Sequence, residues 1–74
     1  MKGGNYMFDK KRFQMKLFEC GKGVKDAANA IGCNEVTLYR KMNGTSDFTR
    51  NEIQLFRQAF HLTAEEVEAI FFAT

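Results

Sequence analysis

The stretch VKDAANAIGCNEVTLYRKMNG, residues 24–44, decides the fold. Its first eight residues are rich in alanine and hold no helix breaker, so they predict a short helix over 24–31. Gly32 stops it. After a brief turn through Cys33 and Asn34, a second helix is expected from about Glu35 to Met42. Two short helices that cross closely at a steep angle need a small residue where the backbones approach, and Ala28 supplies it. They need a sharp turn whose first residue takes positive φ, and Gly32 supplies that. They also need apolar residues facing inward: Ala27 and Ile31 from the first helix, Cys33 from the turn and Leu38 from the second. Asn43-Gly44 then ends the second helix with two residues that accept the left-handed conformation.

Upstream, Asp9 is a good N-cap, followed by KKRFQMKLFEC and then Gly21, which brackets a helix over about 10–20. Phe8 and Phe13 stand at the two positions of a hydrophobic staple. Phe13, Leu17 and Cys20 repeat at i, i+4, i+7 and form its expected buried stripe, with Lys10, Lys11, Arg12 and Lys16 largely off it. Gly21-Lys22-Gly23 is a tight connection. Residues 1–7, MKGGNYM, have no periodicity and two glycines, and read as a flexible leader with Met7 an alternative start. Downstream, Thr49-Arg50-Asn51-Glu52 and Thr63-Ala64-Glu65-Glu66 are two capping boxes. They open helices of about 50–60, with Ile53, Phe56 and Phe60 on one face, and about 64–72, with Val67, Ile70 and Phe71. Strand signals and internal repeats are absent. Five helices with short loops predict a compact all-α domain over 8–74.

Composition narrows the function classes. The chain has 74 residues, 45% of them hydrophobic and eight of them Phe, enough for a globular core. Phe48, Phe56 and Phe60 are expected in that core. No apolar run approaches the roughly 20 residues that cross a bilayer, and the N-terminus lacks an apolar signal region. A cytoplasmic location follows as the expectation. Cys20 and Cys33 make no CxxC pair and the single His61 is far from both, so free thiols are expected, with no metal and no cofactor. His61 reads as a helix-end surface residue. Neither a nucleophile–base pair nor a phosphate-cradling glycine loop appears, so no enzyme and no small-molecule substrate are expected. Net charge is only +2, but residues 1–50 hold ten Lys/Arg against five Asp/Glu, while 51–74 hold Arg57 against Glu52, Glu65, Glu66 and Glu68. That asymmetry suits a DNA-facing body with an acidic C-terminal element pointing away; an ordinary solvated helix surface is the alternative.

Ala28, Gly32, Leu38, Asn43 and Gly44 fall at the offsets of a helix-turn-helix, and the segment resembles the lambda-repressor-like, or Cro/C1-type, family. More narrowly, TLYRKMNG followed by SDFTRNEI resembles small phage and prophage regulators of Gram-positive bacteria. The likeness covers nearly the whole chain. It departs at Gly23 and Val24, where many relatives have Thr then a phosphate-holding Gln, and at Lys41, where relatives often have an apolar residue. There Met42 or Leu38 takes over the packing and frees Lys41.

The resemblance implies sequence-specific binding of double-stranded DNA and transcriptional regulation in a bacterial cytoplasm or nucleoid. The helix over 35–42 enters the major groove. Base contacts are then expected from Glu35, Val36, Thr37, Tyr39 and Arg40. Arg40 is the foremost, because its planar fork bonds guanine O6 and N7 together. Val36 and Thr37 offer methyls to thymine, with partial burial the alternative for Thr37. Tyr39 reaches a phosphate or packs on sugar, with a partly buried ring as its alternative. Phosphate contacts are expected from Lys22 and Lys25 beside the first motif helix's N-terminus, from Asn34 unless it caps its helix, and from Lys41, Asn43, Thr45 and Ser46, with Arg50 adding to them. For each lysine, plain solvation is the alternative. Val67, Ile70, Phe71 and Phe72 give more apolar surface than one short helix needs, so part of it is expected to form a dimer interface, with closure of a small core by this helix the alternative. A homodimer on a pseudo-palindromic operator, with a monomer or weak dimer free in solution, would set two recognition helices about one DNA turn apart. The competing expectation is a protein-interaction adaptor, antirepressor or antitoxin-like, on the same scaffold.

Overall fold

The computed structural model describes residues 7–73, so residues 1–6 of the expected leader lie outside the described residues. Five helices are present among the described residues: α1 Lys10–Glu19, α2 Val24–Ile31, α3 Glu35–Met42, α4 Arg50–Phe60 and α5 Ala64–Phe71. Four begin at a side chain that accepts a backbone N–H. Asp9 accepts from Arg12, Asn34 from Thr37, Thr49 from Glu52 and Thr63 from Glu66. Glu52 and Glu66 return the bond to the N–H groups of Thr49 and Thr63, which completes both capping boxes. A cap of this kind contributes about 1 kcal/mol.

Four of the helix ends share one closure. At Gly32 the chain turns left-handed, φ +74, and Cys33 N–H then donates to Ala28 O at 3.0 Å. The same six-residue closure ends α1, through Lys22 N–H to Leu17 O at 2.8 Å, and α3, through Thr45 N–H to Arg40 O at 2.9 Å. The left-handed residue after α3 is Gly44, whereas Asn43 keeps a φ of −87. After α4 the position falls on His61, φ 55, a non-glycine at a backbone conformation that costs about 1–2 kcal/mol. The turn drops Leu62 into the core, where it is buried.

α2 packs on α3 and α4, α1 lies on α5 and α2, and α4 meets α5. Ala27 and Ala28 are completely enclosed at the α2 contacts, as the small-residue argument requires. The rest of the core includes six phenylalanines. Phe8 lies tilted against Phe48 and Phe13, with ring centroids 4.8 and 5.2 Å apart, Phe13 meets Phe56 edge-on at 5.2 Å, and Phe48 meets Phe71 at 5.4 Å. The Cα radius of gyration is 11.5 Å, close to the about 11 Å of a compact chain of this length. No helix is long and apolar enough to cross a membrane among the described residues.

Two expectations change. Met7 is not part of a loose leader, because it exchanges both backbone hydrogen bonds with Ala73, at 2.8 and 3.0 Å. This bridge, with Asp9 N–H to Ile70 O at 2.6 Å, lays the chain entry across the end of α5. The expected dimer set is also corrected. Ile70 and Phe71 are buried in the protomer's own core, Val67 is half-buried against it, and only Phe72 is exposed. The entry segment supplies the reason: Phe8 covers Phe71, at 5.5 Å between rings, and uses the apolar face that α5 alone leaves over.

Lys16 of α1 is tied to Glu66 of α5 at 2.7 Å. The hydrogen bond from Lys16, with the Thr63 N–H, holds the Glu66 carboxyl below its ordinary 4.5, and the bond to Glu66 raises the Lys16 ammonium above its ordinary 10.5. Glu66 therefore stabilises the fold fully above its ordinary value, and that contribution disappears as pH falls through the lower folded-state value. Glu66→Gln keeps an acceptor for the cap but removes the charge. Its urea-unfolding stability should lie below wild type at neutral pH and converge on it in acid. Gly32→Ala meets no atom within 4 Å at the new Cβ, so its loss should be conformational, about 1–2 kcal/mol by the same measurement.

Candidate nucleic-acid interface

α3 divides sharply between two faces. Leu38 and Met42 point into the core, 0% and 4% exposed. Val36, Tyr39, Arg40 and Asn43, at i, i+3, i+4 and i+7, all lie on the opposite, exposed face. Val36 is 61% and Tyr39 40% exposed, large apolar surface that the fold itself does not use. Glu35 is exposed at the first turn, and Thr37 is half-buried at the edge of the stripe. Thr37 is thus partly covered, and Tyr39 keeps part of its ring against the protein while the rest is open on the stripe.

Met42 and Leu38 do carry the packing beside Lys41, but Lys41 is not freed by it. Its side chain is only 13% exposed, and Nζ sits 3.2 Å from Glu52 Oε1. The ammonium also donates to Asp47 O at 3.0 Å and lies 6.0 Å from the Phe48 ring centroid. Lys41 thus fastens the loop 43–49 to the start of α4, and its charge is already matched. As a phosphate ligand it is replaced by its structural role.

The other expected anion contacts separate by how occupied they are. Lys22, Lys25, Thr45, Ser46 and Arg50 are exposed. Asn34 caps α3, its Oδ1 accepting from Thr37 N–H at 2.8 Å, and that bond makes no demand on its amide nitrogen. At the α2 N-terminus one of the N–H groups expected to favour an anion is already taken. Asp26 reaches back to Gly23 N–H at 2.9 Å, so a carboxylate of the chain already stands there. Lys22 and Lys25 remain as free-standing charges on either side.

One cation was missed. Lys10 Nζ donates to Asn43 Oδ1 at 2.8 Å and brings a positive charge to the C-terminal end of the α3 stripe. The two residues are 33 apart in the chain, and no local pattern pairs them. The cysteines add no chemistry to this face. Both are free and half-buried, and burial, with Glu52 nearby, pushes the Cys33 thiol up, which keeps it protonated at neutral pH. Among the described residues no three His, Cys, Asp or Glu gather as a metal would require.

No family model, curated protein or solved structure matches the chain. The reading of this face therefore rests on its own geometry. The Lys41–Glu52 pair is the part most open to direct test. Lys41→Ala should lower unfolding stability by about 1 kcal/mol, since the pair is mostly enclosed and hydrogen-bonded. A double-mutant cycle with Glu52→Gln should give a coupling energy clearly above zero; strict additivity would mean the pair contributes nothing.

Proposed function

We propose that the chain binds double-stranded DNA sequence-specifically and regulates transcription, with α2 and α3 acting as a helix-turn-helix of the lambda-repressor-like type. One observation carries the reading. α3 is anchored by Leu38 and Met42 on one side and presents Val36, Tyr39, Arg40 and Asn43 as a continuous exposed stripe on the other. A helix held in this way is a rigid ridge of the width a major groove accepts.

The residues then take distinct roles. Arg40 reads guanine through its paired donors. Glu35 accepts from a cytosine amine, and Val36 supplies an apolar contact to a thymine methyl. Tyr39 lies along the sugar–phosphate edge. Lys10, Lys22, Lys25 and the Thr45–Ser46 turn supply sequence-independent affinity through the phosphates. A second copy bound in two-fold symmetry would make the operator pseudo-palindromic. The acidic first turn of α5, with Glu65 and Glu66, keeps negative charge on a different helix from this stripe.

Selection from random duplexes, run with wild type beside Arg40→Ala, tests the proposal. Wild type should yield a preferred sequence, and Arg40→Ala should lose discrimination at one base position by about 1–3 kcal/mol. Lys22→Ala should instead weaken all sequences alike and flatten the salt dependence. A folded wild type that recovers no preferred sequence overturns the reading. Retention of a protein partner by Arg40→Ala, in a chain without DNA binding, would establish the adaptor role in its place.

A further inference from the structure

The outward face of α1 is apolar where a solvated helix should be polar. Phe18 is 84% and Met15 54% exposed, and with Lys11, Gln14 and Glu19 they border a shallow depression. The core does not need them, since Phe13 and Leu17 already fill the inward side of the same helix. We infer that this face pairs with α1 of a second copy of the chain, antiparallel, about a two-fold axis passing near Met15.

The charges choose both the partner and the register. Lys11 and Glu19 stand four residues to either side of Met15. In an antiparallel pair centred there, Lys11 of each copy meets Glu19 of the other, and symmetry makes the contact twice. Phe18 then lies across the second copy's Met15 and the aliphatic stem of Lys11, a sulfur–aromatic contact of the kind that packs well. Centring the pair on Phe18 would place Met15 against the exposed Gly21-Lys22 turn instead. An acidic partner would leave Glu19 unmatched and a basic one would leave Lys11 unmatched. An anionic lipid surface would attract Lys11 and leave Glu19 unmatched. The pattern is complementary to itself. Glu19 is available for it: its side chain is 63% exposed, with Lys16 4.0 Å away and committed to Glu66 at 2.7 Å.

A ten-residue helix is about 15 Å long. Two of them cover less than the about 1,200 Å² of stable interfaces, so the association is at the micromolar end or weaker. The support for this pair does not come from the DNA reading. The experiment is run without DNA, so that the two fail separately.

Sedimentation equilibrium of the full chain, from low micromolar to millimolar concentration, should show a monomer–dimer equilibrium. Phe18→Ser should weaken it about tenfold. Its thermal unfolding should be unchanged, because the ring is exposed. Lys11→Glu and Glu19→Lys should each weaken dimerisation several-fold, and the double exchange should restore it. A chain that stays monomeric at millimolar concentration overturns the inference. So does a dimer indifferent to Phe18→Ser, or a double exchange without recovery. Phe18-dependent binding to phosphatidylglycerol vesicles by a chain that remains monomeric would assign the face to a membrane instead.

Discussion

Six phenylalanine rings, Phe8, Phe13, Phe48, Phe56, Phe60 and Phe71, meet in one cluster that joins the chain entry, α1, the loop after α3, α4 and α5. A domain of this size has little volume in which to bury surface. Large rings bury the most per residue, and each well-set pair adds about 0.5–1.5 kcal/mol beyond its area. Because the cluster draws from five parts of the chain, it fixes their mutual placement. It also explains why α5 has no apolar face to spare: Phe71 is covered from within by Phe8 and Phe48.

α2 and α3 add aliphatic side chains and no phenylalanine to the same core. Ala27 and Ala28 let α2 sit close to both α3 and α4, and Leu38 and Met42 bind α3 from below. The α3 stripe is thereby held without using any of its own outward side chains. Lys41 and Glu52 complete the support, because they hold the loop 43–49 against α4 and leave Thr45 and Ser46 exposed beside the stripe. The scaffold consumes a lysine expected to be free and leaves Arg40 next to it exposed.

Local signals carried the helices themselves. Asp9, Asn34, Thr49 and Thr63 mark where four of them begin, and Gly21, Gly32 and Gly44 mark where three of them end. These signals are legible because a cap or a left-handed turn is decided within about six residues of chain. His61 was legible as a helix-end surface residue, but its left-handed backbone was not, since that runs against its own preference and is offset by the burial of Leu62.

The sequence by itself determined the five helices, the turn at Gly32, and which face of α3 points outward, all through short-range hydrogen bonding and periodicity. The tertiary structure decided what each charged and apolar side chain is free to do. Lys41 went to Glu52, Lys10 to Asn43, Lys16 to Glu66, and Ile70 and Phe71 to the core. Lys10–Asn43 and Lys16–Glu66 join residues 33 and 50 positions apart. Such pairings are set by how the helices pack, and a one-dimensional pattern holds no record of them. The stretch 24–44 therefore fixed the shape of the candidate site, while the packing around it chose the residues left to act there.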